Sequence, residues 1–441
     1  MTSRLFLPLA LATAAVAVTA TAADAATYTV CPRFEIETGD SATAAAYPRE
    51  DHFLGADGGL VVPAYGIHIN VYKNGSSVTG GNVVTSPSTG CHTFTTSHAG
   101  PFTMRVYARA TDANGNSVRI HNAGPGSLSS YPGSTYSLLT EPFSPTAGFN
   151  HFVIVGDQHP RWTMMASAAF TLLRAKDGNY NKSIHIAEDT TEDCFNSSSW
   201  SAGGSSSNGF LDEGRGYVRI KSGGACDDDA RDMKFLIAHE MGHVLLRLRA
   251  GNAEGPQSDE FPYGQLQGAV ASCVNDPSYH MNSVEWNGLA FKEGSADFIS
   301  ASVFNNREAT GRFIRFGQEI DLEFAPDPYA GGRLVNTCNV ASTNSWGLGT
   351  RGDWLRFWWD WYTDNSCTSP ATRLRVMDVF ARTVNDHWNG TNPYADNTAY
   401  GAVRTALYAK NYGSCLEAEF RHAACWNGVD RQAGYMNNGC Y

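Results

Sequence analysis

The sequence predicts a multidomain chain: an N-terminal all-β sandwich, an α+β unit after it, and a mainly helical C-terminal lobe. Three observations lead there. From Thr27 to about Pro145, apolar–polar alternation broken by Asn-Gly and Gly-rich turns recurs in "GIHINVYKNG", "CHTFTT" and "GPFTMRVYARATDANGNSVRIHN", the pattern of short antiparallel strands. Past the Pro/Gly-containing junction "SPTAGFN", helical spacing in "RWTMMASAAFTLLRA" gives way to the strand-like "KSIHIAED" and "GYVRIKSG". Beyond about residue 310, "GDWLRFWWDWYTDN", "ATRLRVMDVFARTVNDHW" and "YGAVRTALYAKNY" carry apolar residues at helical spacing. A chain of 441 residues is long enough to bury two or three such cores.

Residues 1–25 stand apart from the fold. Arg4, an apolar run of Leu, Ala and Val, and the small residues Ala23-Asp24-Ala25 have the layout of a secretory signal peptide. The run is too short and Ala-rich for a membrane anchor. The expected division is therefore 1–25 signal peptide, 26–145 β-sandwich, 146–310 α+β unit and 311–441 helical lobe with a cysteine-rich tail. Secretion implies an oxidising compartment, and all ten cysteines lie beyond the cleavage point. Their even number allows five disulfides, and proximity pairs Cys31 with Cys91, Cys194 with Cys226 and Cys273 with Cys338. No CxxC pair exists, which excludes the usual cysteine-ligated structural zinc. The formal charge of -11, without a Lys/Arg-rich block, excludes nucleic acid and anionic membrane as expected partners. No later stretch is long and apolar enough to span a bilayer. Nothing in the sequence fixes the oligomeric state.

Within the sandwich, "TDANGNS" has the start of a calcium loop but lacks a carboxylate at the distal position. It reads as a hairpin turn. In the α+β unit, "SSSWSAGGSSSNG" reads as a flexible loop. "CDDDARD" places acidic residues ahead of the next helix, "KFLIAHEMGHVLLRLR", where they suit the positive end of its dipole.

That helix carries the chemistry. Residues four apart share a helical face, so His239 and His243 can present imidazoles to one ion. Glu240 follows the first histidine, placed to take a proton from water rather than to ligate. The pattern HExxH supplies two zinc donors and a general base together. No third histidine follows nearby, so the remaining ligand must come from another segment. In "NGLAFKEGSADFISASVF", Glu293 and Asp297 again stand four apart. Glu293 completes a His₂Glu set for Zn2+, and Asp297 accepts the second ring N–H of a ligand histidine.

With "HEMGH" at 239–243 and "EGSAD" at 293–297, the chain resembles the gluzincin zinc metallopeptidases, the group that includes thermolysin-like enzymes. The resemblance covers about residues 150–410 and assigns no subfamily. It implies a zincin-like metallopeptidase domain within 146–310, followed by the helical lobe. It also implies zinc ligation by His239, His243 and Glu293, with Glu240 as base, Asp297 behind the ligands, and a peptide or protein substrate. Gluzincins commonly place a His or Tyr of the helical lobe across the cleft to stabilise the oxyanion. His422 lies between tail cysteines, so His387 in "NDHWNG" is the candidate, with Tyr279 and His280 competing. The substrate is expected to lie extended along an edge strand, for which "GYVRIKSG" is a candidate, an interior position being the alternative. Two other functions fit the same motifs: a catalytically silent binding protein on this fold, and a zinc hydrolase of a non-peptide substrate.

Overall fold

The computed structural model describes residues 24–35, 61–121, 135–155, 160–175, 183–189, 208–212, 215–221, 234–249, 284–305, 312–315, 318–322, 348–364, 367, 371–387, 399–427 and 429. Ten strands come first: β1 (Ala26–Glu35), β2 (Val61–Pro63), β3 (Ile67–Lys73), β4 (Ser76–Ser77), β5 (Val83–Val84), β6 (His92–Thr96), β7 (Thr103–Thr111), β8 (Ser117–Ile120), β9 (Ser137–Leu139) and β10 (Asn150–Val155). Helix α1 (Pro160–Ala175), strands β11 (Ser183–Asp189), β12 (Asn208–Asp212) and β13 (Arg215–Lys221), and helix α2 (Lys234–Arg249) follow. The remainder is β14 (Val284–Trp286), α3 (Asn287–Phe304), β15 (Arg312–Arg315), β16 (Gln318–Asp321), β17 (Leu348–Thr350), α4 (Arg351–Thr363), α5 (Arg373–His387), α6 (Ala399–Lys410) and α7 (Ser414–Trp426). Among the described residues the fold is mixed α/β without a barrel, and it has the helical C-terminal region that the Trp-rich segments predict.

Alternation builds the strands. Along β7, Met104, Val106, Ala108 and Ala110 are buried while Arg105 is exposed, the period of two that a half-buried strand requires. In one sheet β1 pairs in parallel with β10 and antiparallel with β2 and β6. The second sheet has nine strands, ordered β12-β13-β11-β8-β7-β3-β4 with β5 on β3 and β9 on β7. Tyr28 and Phe94 of the first sheet meet Phe102, ahead of β7, at ring separations of 5.4 and 5.7 Å.

The nine-stranded sheet crosses the junction that composition marks near residue 145. Strand β8 pairs in parallel with β11, joining β3–β9 to β11–β13, and β10 returns to β1. The β-rich N-terminal part and the helix-bearing part therefore share both sheets. Helix α1 seals them: Trp162 stacks on Phe34 of β1 at 5.1 Å, and Phe170 stacks on Phe304 of α3 at 5.5 Å.

Two expectations meet the structure directly. The carboxylate of Asp112 accepts from the backbone N–H of Asn114 and of Asn116 and from the Asn116 side chain, each at 2.9 Å, so "TDANGNS" is a hairpin turn closed by its own aspartate. The segment "GYVRIKSG" is not an edge: β13 lies between β11 and β12, and among the described residues β12 forms the margin, antiparallel to it. Disulfide Cys31–Cys91 is present. Cys367–Cys415, which proximity did not single out, ties the segment after α4 to the start of α7. Cys194, Cys226, Cys273 and Cys338 lie outside the described residues, as do "CDDDARD" and most of the Ser/Gly loop.

Glycines decide how closely the layers approach. A Cβ on Gly216 of β13 would collide with the Val244 side chain, so α2 lies directly against that strand. Between α2 and α3, a Cβ on Gly242 would stand 3.0 Å from the carbonyl oxygen of Ala296. Between α3 and α4, a Cβ on Gly294 would stand 2.5 Å from the Cβ of Trp354 and 2.6 Å from the carbonyl oxygen of Arg351. Strands β14 and β17 pair antiparallel, Val284 opposite Thr350 and Trp286 opposite Leu348, and each runs straight into a helix. That short pair sets the first turns of α3 and α4 together. Helix α4 is buried from Arg351 through Trp359, the all-round burial of an interior helix.

Candidate metal centre

On α2, His239 and His243 share a face as their spacing requires, with Nε2 atoms 3.1 Å apart. Helix α3 crosses at the Gly242–Ala296 contact and brings Glu293 against both rings: Oε2 lies 3.3 Å from His239 Nε2, and Oε1 lies 3.5 Å from His243 Nε2. At metal–ligand bonds of about 2.0–2.1 Å, the donor atoms of a tetrahedral zinc stand about 3.3–3.4 Å apart. The three donors therefore fit one tetrahedral cation. His239, His243 and Glu293 are all buried.

Glu240 is buried beside them, and a carboxylate oxygen of it falls within 4.8 Å of ring nitrogens of both histidines. By proximity alone, His239, Glu240 and His243 form a group able to hold a metal ion. Glu293, at 3.3 and 3.5 Å from the two rings, adds a second carboxylate within reach of the same ion.

Electrostatics treat the two histidines oppositely. Burial works against a charge on His239, but the Asp297 carboxylate overrides it and pushes the ring up to about 9. Burial pushes His243 down to about 3. Burial also opposes the charge on Glu293, yet the two imidazoles hold its carboxyl well below the usual range. Without a metal, a proton thus sits on His239 between two carboxylates while His243 stays neutral. A metal ion held there would take the place of that proton. Burial pushes Glu240 up to about 8.

Asp297 stands behind His239, its Oδ1 2.8 Å from Nδ1. The guanidinium of Arg351, the first residue of α4, grips the same carboxylate from the far side, Nη2 on Oδ1 and Nε on Oδ2. Arg351 Nη2 is also 3.2 Å from His239 Nδ1. One nitrogen cannot both donate to Asp297 and accept from Arg351. The shorter contact decides: Nδ1–H donates to Asp297, which leaves Nε2 to face Glu293.

The structure thus brings together His239, Glu240, His243, Glu293 and Asp297 of the residues that the sequence singles out. His387 closes α5, and its side chain, like Tyr279 and His280, lies outside what is described. His422 is exposed on α7 and stacks on Trp426. Sequence reasoning missed Arg351. Its signal was a cation in the first turn of a helix, where the dipole disfavours positive charge unless a carboxylate answers it. A second proximity group, Cys367, Cys415 and Glu419, offers no thiolate, because its cysteines are joined to each other.

Among known proteins, no family model, no curated protein and no solved structure matches the chain.

Proposed function

We propose that the chain is a secreted zinc-dependent endopeptidase. The observation that carries this reading is the convergence of His239 Nε2, His243 Nε2 and the Glu293 carboxylate at separations of 3.1, 3.3 and 3.5 Å, with a buried carboxylate, Glu240, at its rim. Two imidazoles and one carboxylate in this spacing are the donor set of a hydrolytic zinc site. Zinc, when bound there, supplies a Lewis acid.

The remaining chemistry belongs to the chain. Glu240, a buried carboxyl next to both ring nitrogens, is the general base of this reading. It accepts a proton as the water oxygen bonds to the peptide carbonyl carbon, then delivers that proton to the amine nitrogen as the C–N bond breaks. Asp297 holds the His239 ring so that Nε2 stays directed at the ion. Strand β12, the sheet margin among the described residues next to β13, offers backbone donors and acceptors to an extended substrate. The disulfides Cys31–Cys91 and Cys367–Cys415 suit an oxidising compartment, and among the described residues no helix is long and apolar enough to cross a membrane.

The test is digestion of casein and of a mixed peptide library, with and without a chelator, followed by re-addition of zinc. Chelator-sensitive cleavage restored by zinc is expected. Zinc bound without any cleavage points to a silent binding protein instead, a role with no use for Glu240. Hydrolysis confined to non-peptide esters or amides moves the substrate class.

A further inference from the structure

We propose that Arg351 is a positioning residue of the metal centre, holding its ligands in place from a third helix; the inference rests on the zinc reading above. Three of its contacts hold that centre: Nε and Nη2 grip the two oxygens of Asp297, and Nη1 lies 3.7 Å from Glu293 Oε2. Arg351 and Asp297 are both completely buried. A bidentate guanidinium fixes the plane of a carboxylate as well as its position. Because Asp297 Oδ1 also accepts from His239 Nδ1, that plane sets the ring rotation and so the direction of Nε2.

The architecture is arranged to deliver this side chain. Pairing of β14 with β17 brings the first residue of α4 beside α3, and Gly294, adjacent to the ligand Glu293, leaves room for the Arg351 backbone against α3. A buried ion pair is in general a poor source of stability compared with apolar packing. Helix α4 also turns Trp354, Leu355, Phe357, Trp358 and Trp359 into the core beside the buried Asp353 and Arg356, so apolar packing already anchors it and the Arg351–Asp297 pair serves the centre that it touches. Lysine cannot replace it, because an ammonium is a point donor without the planar fork.

The experiment uses the full-length chain as wild type, Arg351→Lys, Arg351→Gln, Asp297→Asn and the double variant Arg351→Lys/Asp297→Asn. Zinc affinity is measured by competition with a chromogenic chelator, the visible spectrum is recorded with Co2+ in place of zinc, and folding is followed by circular dichroism. We expect Arg351→Lys to fold, to bind zinc about 10- to 100-fold more weakly and to shift the Co2+ bands. The double variant should bind no more weakly than Asp297→Asn, since the arginine acts through that carboxylate. Wild-type affinity and spectrum in Arg351→Lys overturn the proposal, as do additive losses in the double variant. Chains unfolded in both Arg351 variants also overturn it, because the role is then purely structural. Wild type that binds no zinc removes the metal reading itself, whereas wild type that binds zinc beside unaffected Arg351 variants removes this inference alone.

Discussion

Gly242, between the two histidines of α2, lies against the backbone of Ala296, which precedes Asp297 on α3; a Cβ at 242 would stand 3.0 Å from the Ala296 carbonyl oxygen and 3.3 Å from its Cα. A tight contact of the two helices thus falls inside both motifs, beside the 3.5 Å approach of His243 and Glu293. Alanine at 242 removes a glycine from a helix interior, a gain of about 0.5–1 kcal/mol, and spreads the helices by a few tenths of an ångström. Gly242→Ala should therefore stay within about 1 kcal/mol of wild-type stability while zinc affinity falls about tenfold. Chelator competition on the purified variant checks this, and undiminished affinity would show that the contact does not set the ligand spacing.

Gly294 and Gly401 give opposite signs for the same substitution. A Cβ at 294 meets the Trp354 Cβ at 2.5 Å and backbone of α4 at 2.6 Å, whereas a Cβ at 401, in α6, meets nothing within 4 Å. Gly294→Ala should cost about 1–3 kcal/mol as α3 and α4 are forced apart. Gly401→Ala should stabilise by up to about 1 kcal/mol through helix propensity. Urea unfolding of both variants decides, and a stabilised Gly294→Ala would contradict the packing described.

The sequence made legible what is local. His239 with His243, and Glu293 with Asp297, announce themselves because four residues are about one helical turn. Arg351 does not, because its partner Asp297 is 54 residues away and His239 is 112 away. No periodicity encodes which helix closes the back of a site. Strand order fails for the same reason. "GYVRIKSG" has the composition of either an edge or an interior strand, and the margin among the described residues, β12, begins with Asn208 and Gly209, the last two residues of the Ser/Gly stretch that reads as loop. The continuity of the nine-stranded sheet across residue 145 rests on β8 meeting β11, a pairing 66 residues apart between Ser117 and Ser183, while the local composition there signals a junction.

Glu240→Gln separates ligation from proton transfer. The donors to the ion are His239, His243 and Glu293 in this reading, so a neutral isostere at 240 leaves them in place. Metal analysis should find wild-type zinc content, with turnover reduced by orders of magnitude. Zinc lost together with activity would move Glu240 from base to ligand.

Remote from the centre, His68 of β3 should impose a pH dependence on stability. Burial pushes its pKa down to about 4, and Arg109 and Arg119 across the sheet push it the same way. Its Nε2 lies 2.8 Å from the Thr111 hydroxyl. In the unfolded chain the ring titrates near 6.5. Between those values the unfolded state binds a proton that the folded state refuses, so stability is full above about pH 6.5, declines as pH falls toward about 4, and levels off below. The ring is half-buried, and solvent screening reduces the effect to about 1–2 kcal/mol. His68→Gln retains a polar partner for Thr111 and does not titrate. Urea unfolding of wild type and His68→Gln from pH 7.5 to pH 4 should therefore show wild type losing about 1–2 kcal/mol more than the variant. Parallel profiles would mean that His68 accepts its proton in the folded sheet as readily as in the unfolded chain.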